Sequence, residues 1–237
     1  MDAQQVITTL ERLADPAIAA HSQRFFKTAP GEYAEGDRFL GIRVPQIRAQ
    51  VRLCRDLPLA DIEALLHSPF HEARLLALLI LVWRFERAKP ELRSKIYHLY
   101  LNNTGCINNW DLVDSSAPQI VGGHLLDRNR KPLYRLARSS SLWERRISVL
   151  ACFSFIRAGQ YEDILALSEQ LLGDPYELIH KALGWMLREV GKRDPEKAGQ
   201  FLRQHCRSMP RVMLRYAIER LPEAQRQAYL KGEVCCS

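Results

Sequence analysis

"INNWDLVDS", residues 107–115, carries a tryptophan and an aspartate four positions apart, Trp110 and Asp114. On a helix that spacing puts both side chains on one face. The longer stretch INNWDLVDSSAPQIVGGHLL (107–126) reads as helix throughout, and it has counterparts along the chain. Set in register with HEARLLALL (71–79), WERRISVL (143–150) and IHKALGWML (179–187), it places Arg74, Trp110, Arg146 and Lys181 in one column. The interval is about 36 residues. Leu78, Asp114, Leu150 and Trp185 form a second column.

The segments ahead of these recur too: LADIEALLHS, ELRSKIYHLYLNN, PLYRLARSSS and EDILALSEQLLGD. Two helices per unit at that period are the mark of an α-solenoid, with HEAT-like repeats the nearest class. No sustained alternation of β-branched residues predicts a strand. Prolines 16, 45, 58, 69, 90, 132, 175, 195 and 210 sit near the starts of helical runs, where a missing N–H costs nothing. Asp15, Ser68, Asp174 and Asp194 stand just upstream of four of them as candidate caps. The expected fold is all-α: a single domain over residues 1–237 of antiparallel helix pairs, curved around a concave basic cleft, with a short tail from about residue 231.

In such a stack, equivalent positions of successive repeats lie roughly 10 Å apart. The two columns therefore predict one patch holding Trp110, Asp114, Arg146 and Trp185. A tryptophan on a helix is more often core than surface, but Arg and Lys in its column are rarely buried unpaired. Asp111, turned away from this face, is free to bond a neighbouring helix.

The 237 residues are 47% hydrophobic and 26% charged, ordinary values for a globular chain. The formal net charge of +7 favours an anionic partner, nucleic acid first. The longest greasy run, LLALLILVW (75–83), is about half of what a bilayer requires. The N-terminal segment lacks the apolar core of a signal peptide. Six cysteines without CxxC spacing, and histidines without ligand spacing, predict no metal and a cytoplasmic protein with free thiols.

Basic residues interleave with aromatics in the second half. Lys181, Trp185 and Arg188 fall at i, i+4, i+7 on one helix face. Cations for phosphates and a ring for sugars or bases suit nucleic acid. Arg211 and Arg215 extend the strip. Of the adjacent Arg145 and Arg146, which point in different directions, Arg146 fits the column. Near the N-terminus, GEYAEGDRFLGIRVPQIR (31–48) breaks the helical rhythm with Gly31, Gly36 and Gly41. Long loops of this kind are uncommon and often functional. Arg43 and Arg48 could hold a phosphate at the following helix start; equally, Tyr33 and Phe39 could simply pack beneath the loop.

FLGIRVPQIR, NNWDLVD, LWERR, HKALGWMLREVGKRD and MPRVMLRYAIE, in that order, resemble the AlkD-like DNA alkylation repair family of HEAT-like repeat proteins. The likeness runs from about residue 20 to residue 221. It implies a DNA glycosylase that excises N3- and N7-alkylated purines from double-stranded DNA without metal or cofactor. It also implies recognition without base flipping, Asp114 as the catalytic carboxylate, Trp110 and Trp185 as cleft tryptophans, and Arg146 on the phosphate side. The expected protein acts as a monomer with no obligate protein partner and no membrane. Two other readings stay open: a non-catalytic HEAT-like protein that binds damaged or branched DNA, and a helical-repeat adaptor for acidic peptides.

Overall fold

A computed structural model describes residues 1–235. Among these the chain is all-α; its one extended pairing is an isolated parallel bridge between Arg38 and Phe70. Two compact units divide the chain, Met1–Ile120 and Val121–Ser237.

In the first unit the helices are α1 (Ala3–Glu11), α2 (Pro16–Phe25), α3 (Val44–Cys54), α4 (Leu59–Leu66), α5 (His71–Arg87), α6 (Pro90–Asn102) and α7 (Trp110–Asp114). The long α5 is its centre, packed by α1, α3, α4, α6 and α7. Its LLALLILVW run is core because neighbours cover it on several sides, not because it meets lipid. Among the described residues no helix is long and apolar enough to cross a membrane.

The second unit has α8 (Gly123–Leu125), α9 (Lys131–Leu136), α10 (Leu142–Arg157), α11 (Glu162–Gln170), α12 (Glu177–Gly191), α13 (Pro195–His205), α14 (Arg211–Ala217) and α15 (Glu223–Lys231). Helix α10 packs on α9 before it, on α11 after it and on α12, the next long helix. Helix α12 in turn packs on α11, α13 and α14. Short helix, long helix, then long on long is the repeat that the 36-residue period predicts. Gly184 lets α12 and α14 approach: a Cβ there would stand 2.4 Å from the Met213 carbonyl oxygen.

Three details depart from the sequence reading. The 107–126 stretch is not one helix. Helix α7 stops at Asp114, a π-turn spans Pro118–Gly122, and three-residue α8 follows. Pro118 cannot donate to the ladder, and Ser116 turns its hydroxyl onto the Leu112 carbonyl at 2.5 Å, competing with helical bonding. Second, only Asp15 and Asp194 are caps as expected. Ser68 and Asp174 instead accept from the N–H two residues on, Phe70 and Tyr176, folding the turn that precedes each helix. Third, the thiols are not all free. Cys206, where α13 ends, is joined to Cys235, while Cys54, Cys106 and Cys152 are unpaired. A pairing 29 residues apart follows no local spacing, so no motif signals it. Cys236, the other half of the tail pair, lies outside the described residues.

Arg–Asp pairs recur at the repeat junctions: Arg74 with Asp37 and Arg145 with Asp174, both buried, and Arg130 with Asp163, half-buried. Each ties a turn to a helix, and each arginine also donates to backbone carbonyls. Arg130, for example, reaches the Leu125 and Leu126 oxygens at 2.9 and 2.7 Å. This overturns the premise that basic residues in the Arg74 column mark a wet face. Arg74 and Arg146 are each only 5% exposed. Both meet the cost of burial with hydrogen bonds, Arg74 to the Ser68 carbonyl and Arg146 to the Leu178 carbonyl.

Candidate functional site

Helix α7 is only five residues long, begun by Asn109, whose Oδ1 accepts the Trp110 N–H at 2.8 Å. Its apolar residues Leu112 and Val113 are buried, whereas Trp110 and Asp114 are half-exposed on its other side. The i, i+4 pair therefore keeps access to solvent. Asp114 is the last residue of the helix rather than a mid-helix one. Its charge is felt by Tyr100: burial chiefly raises that phenol's pKa, the Ser116 hydroxyl lowers it, and the Asp114 carboxylate raises it further.

Trp110 rests on an aromatic floor. Phe26 stacks on it at 5.4 Å between ring centroids, and Phe25 meets it edge-on at 6.1 Å. Phe25 is 57% exposed, an unusual cost for a phenylalanine beside a half-exposed tryptophan. Behind Phe26 lie Phe39 at 5.0 Å and the His71 ring at 5.1 Å.

His71, the first residue of α5, donates from Nδ1 to Asp37 Oδ2 at 2.9 Å and from Nε2 to Asp111 Oδ2 at 2.8 Å. An ionised carboxylate only accepts, so both ring nitrogens must carry protons and the ring is an imidazolium. Burial alone would push the His71 pKa down; the hydrogen bonds and charges of Asp111 and Asp37 outweigh it and raise it to about 9. Likewise burial would raise Asp37, but His71 and Arg74 hold its carboxyl below its ordinary 3.8. Asp111 thus bonds a neighbouring helix, as its direction on α7 predicted.

The 31–44 loop is bound to the same point. Gly31, Gly36 and Gly41 all have φ near +80°. At Gly41 a Cβ would also meet the Asp15 carbonyl oxygen at 2.1 Å. Glu72, 3% exposed, accepts the backbone N–H groups of Leu40, Gly41 and Ile42 at 2.9, 2.7 and 3.2 Å. Phe39 packs under the loop, while Arg43 and Arg48 are exposed around the start of α3. Arg43 lines a surface depression with Ala17, Ile18 and His21.

In the second unit, Arg145 and Arg146 follow each other on α10, and both are buried. Arg145 is committed to Asp174, at 2.6 Å from Nε, and to the carbonyls of Ser139 and Ser140 at 2.9 Å each. Arg146 donates from Nη1 to the Leu178 carbonyl at 2.5 Å. On α12, Lys181, Trp185 and Arg188 are all half-exposed. Lys181 pairs with Glu177 at 3.2 Å, Arg188 pairs with Glu219, and Trp185 lies 6.0 Å from the Phe153 ring. On α14, Arg211 and Arg215 are exposed, and Arg211 donates to the Leu230 carbonyl at 2.8 Å.

Phe25, Phe26, Asp37, His71 and Glu72 were not singled out in the sequence. A phenylalanine pair at a helix end and a His-Glu opening a greasy run are unremarkable locally. Only the loop's return to α5 makes them neighbours. Among the described residues, no group of three or more His, Cys, Asp or Glu side chains is arranged to hold a metal ion.

Residues 6–221 match the model of a protein family described as DNA alkylation repair enzyme. Among solved structures, the chain is similar to a protein described as a predicted DNA alkylation repair enzyme from Enterococcus faecalis. The two share 17% identity over 89% of this chain and 97% of that one, with a TM-score of 0.68, a likeness of fold. No curated protein matches the chain.

Proposed function

Because the chain belongs to the DNA alkylation repair enzyme family, we propose that it is a DNA glycosylase that hydrolyses the N-glycosidic bond of N3- and N7-alkylated purines in duplex DNA. The observation that carries this reading is the solvent-accessible pair on α7, a carboxylate one helical turn from an indole on an aromatic floor.

A purine alkylated at N3 or N7 bears a positive charge, so it leaves without a general acid. As the bond breaks, positive charge develops on the deoxyribose. The Asp114 carboxylate stabilises that cation and orients the attacking water; preorganised charge of this kind lowers a barrier by about 3–4 kcal/mol per group. Trp110 offers its π face to the same cationic sugar. Exposed Phe25, beside it, adds a ring against which the duplex can pack.

The cations of the second unit are assigned to DNA. Arg146, fixed on α10 by its bond to the Leu178 carbonyl, is assigned to the phosphate side of the bound DNA. Lys181, Arg188, Arg211 and Arg215 extend the phosphate contacts, as Arg43 and Arg48 do in the first unit, and Trp185 packs on sugar or backbone. The guanidinium of Arg145, already held by Asp174 and two carbonyls, supports the turn before α10 and contributes to DNA binding through that turn.

The test is chromatographic. Methylated duplex DNA incubated with the protein should yield free 7-methylguanine and 3-methyladenine, and Asp114→Asn should yield neither while still binding. Binding without release by the wild type would instead establish a non-catalytic DNA-binding protein.

A further inference from the structure

A buried cation lies beneath Trp110 that the proposed chemistry does not use. We propose that His71 is the positioning residue of this site: bridged between Asp37 and Asp111, it clamps α7 to α5 and so fixes where Asp114 and Trp110 stand. The proposal rests on the glycosylase reading for its catalytic consequence, though not for its structural one.

Helix α7 cannot hold itself. Five residues close a single turn, and an isolated turn is unstable in water. Its orientation must come from tethers. Asn109 caps its start, and Ser116, bonded to Leu112 and 3.0 Å from the Tyr100 hydroxyl, anchors its end. Between them the charged tether is Asp111 to His71, at 2.8 Å. Asp111 lies between Trp110 and Asp114 in the same turn, so a shift of its carboxylate moves both. His71 also touches the other side of the site: its ring stacks on Phe39 at 4.5 Å and lies against Phe26, on which Trp110 rests.

The anchor itself is rigid. Glu72, next in sequence, locks residues 40–42 through three N–H groups, and Arg74 on the same helix holds Asp37. The charged groups facing His71 are thus Asp37 from the loop and Asp111 from α7, with Arg74 and Glu72 on its own helix. Asp37, Asp111, His71 and Arg74 carry no net formal charge together, and the remaining charge, on Glu72, is turned to the backbone N–H groups of residues 40–42. Its role is geometric. Removing the cation leaves two carboxylates directed at one buried space, and Asp111, the one on the short helix, is the one that gives way.

The test has two readouts. In single-turnover base release, His71→Asn should lose roughly 100-fold in rate, a cost that a displacement of about 1 Å can carry, and should weaken duplex Kd no more than Trp110→Ala does. The wild-type rate should fall as pH rises through about 9, and the His71→Asn rate should not. In the free protein, Trp110 fluorescence, isolated by difference against Trp110→Phe, should change over the same pH range in the wild type alone. A His71→Asn rate within about threefold of wild type, or a flat Trp110 titration, overturns the proposal. If the wild type releases no base, the glycosylase reading fails and the fluorescence titration alone decides the positioning claim. If His71→Asn does not fold, the wild-type pH profile decides with Asp111→Asn, which should show the same loss to a smaller degree.

Discussion

At Asp114 and Trp110 the account can be tested one side chain at a time. Asp114→Asn should cut base release by about 10²–10³-fold with duplex affinity kept, because it removes charge from the transition state and little else. Trp110→Ala should weaken both binding and rate, and Phe25→Ala should weaken binding more than rate. His71 adds a stability prediction. Its folded-state pKa, about 9, lies above its ordinary 6.5, so its stabilisation is complete below pH 6.5 and disappears as pH rises through 9. The difference is on the order of 3 kcal/mol, and denaturant melts at pH 6.5 and pH 10 should show it in the wild type but not in His71→Asn. The pairing of Trp110 with Asp114 was legible because helical spacing alone puts them on one face; that this face is open to solvent was not, since the basic column that argued for it is buried at Arg74 and Arg146. The Asp37–His71–Asp111 bridge was not, since its members are 34 and 40 residues apart and meet only through the path of a loop.

Helices and turns show which sequence signals survive folding. The 36-residue recurrence survived in the long helices α5, α10 and α12, because a greasy helix covered on several sides keeps its period. It misled at the columns, where Arg74 and Arg146 proved buried and paired rather than wet. A repeated cation marks a repeated position, and burial depends on what faces it. Proline placement was a sound guide to helix starts, while the cap positions moved from Ser68 and Asp174 to Phe70 and Tyr176, two residues on, where the Ser68 and Asp174 side chains accept the backbone N–H. Two glycines carry predictions here. Gly41→Ala should destabilise the protein by on the order of 2–3 kcal/mol, combining a positive φ with a clash against Asp15. Gly184→Ala should cost about 1–3 kcal/mol by prising α12 from α14. Thermal melts of the two variants check both.

For the whole molecule, composition and charge pointed to nucleic acid before any motif did, and the family match gives that charge a substrate class. If exposed cations such as Arg43, Arg48, Arg211 and Arg215 meet phosphates, duplex affinity must fall at least ~10-fold between about 50 and 200 mM salt. The Cys206–Cys235 bond was invisible to spacing rules because its partners come from separate elements. The measurement that bears most directly on the whole account is single-turnover release from a duplex carrying one 7-methylguanine, with Kd taken on the same samples. The account predicts release by the wild type and a loss of about 10²-fold or more in Asp114→Asn at unchanged Kd. Equal release by the two proteins, or tight binding with no release by either, would contradict it.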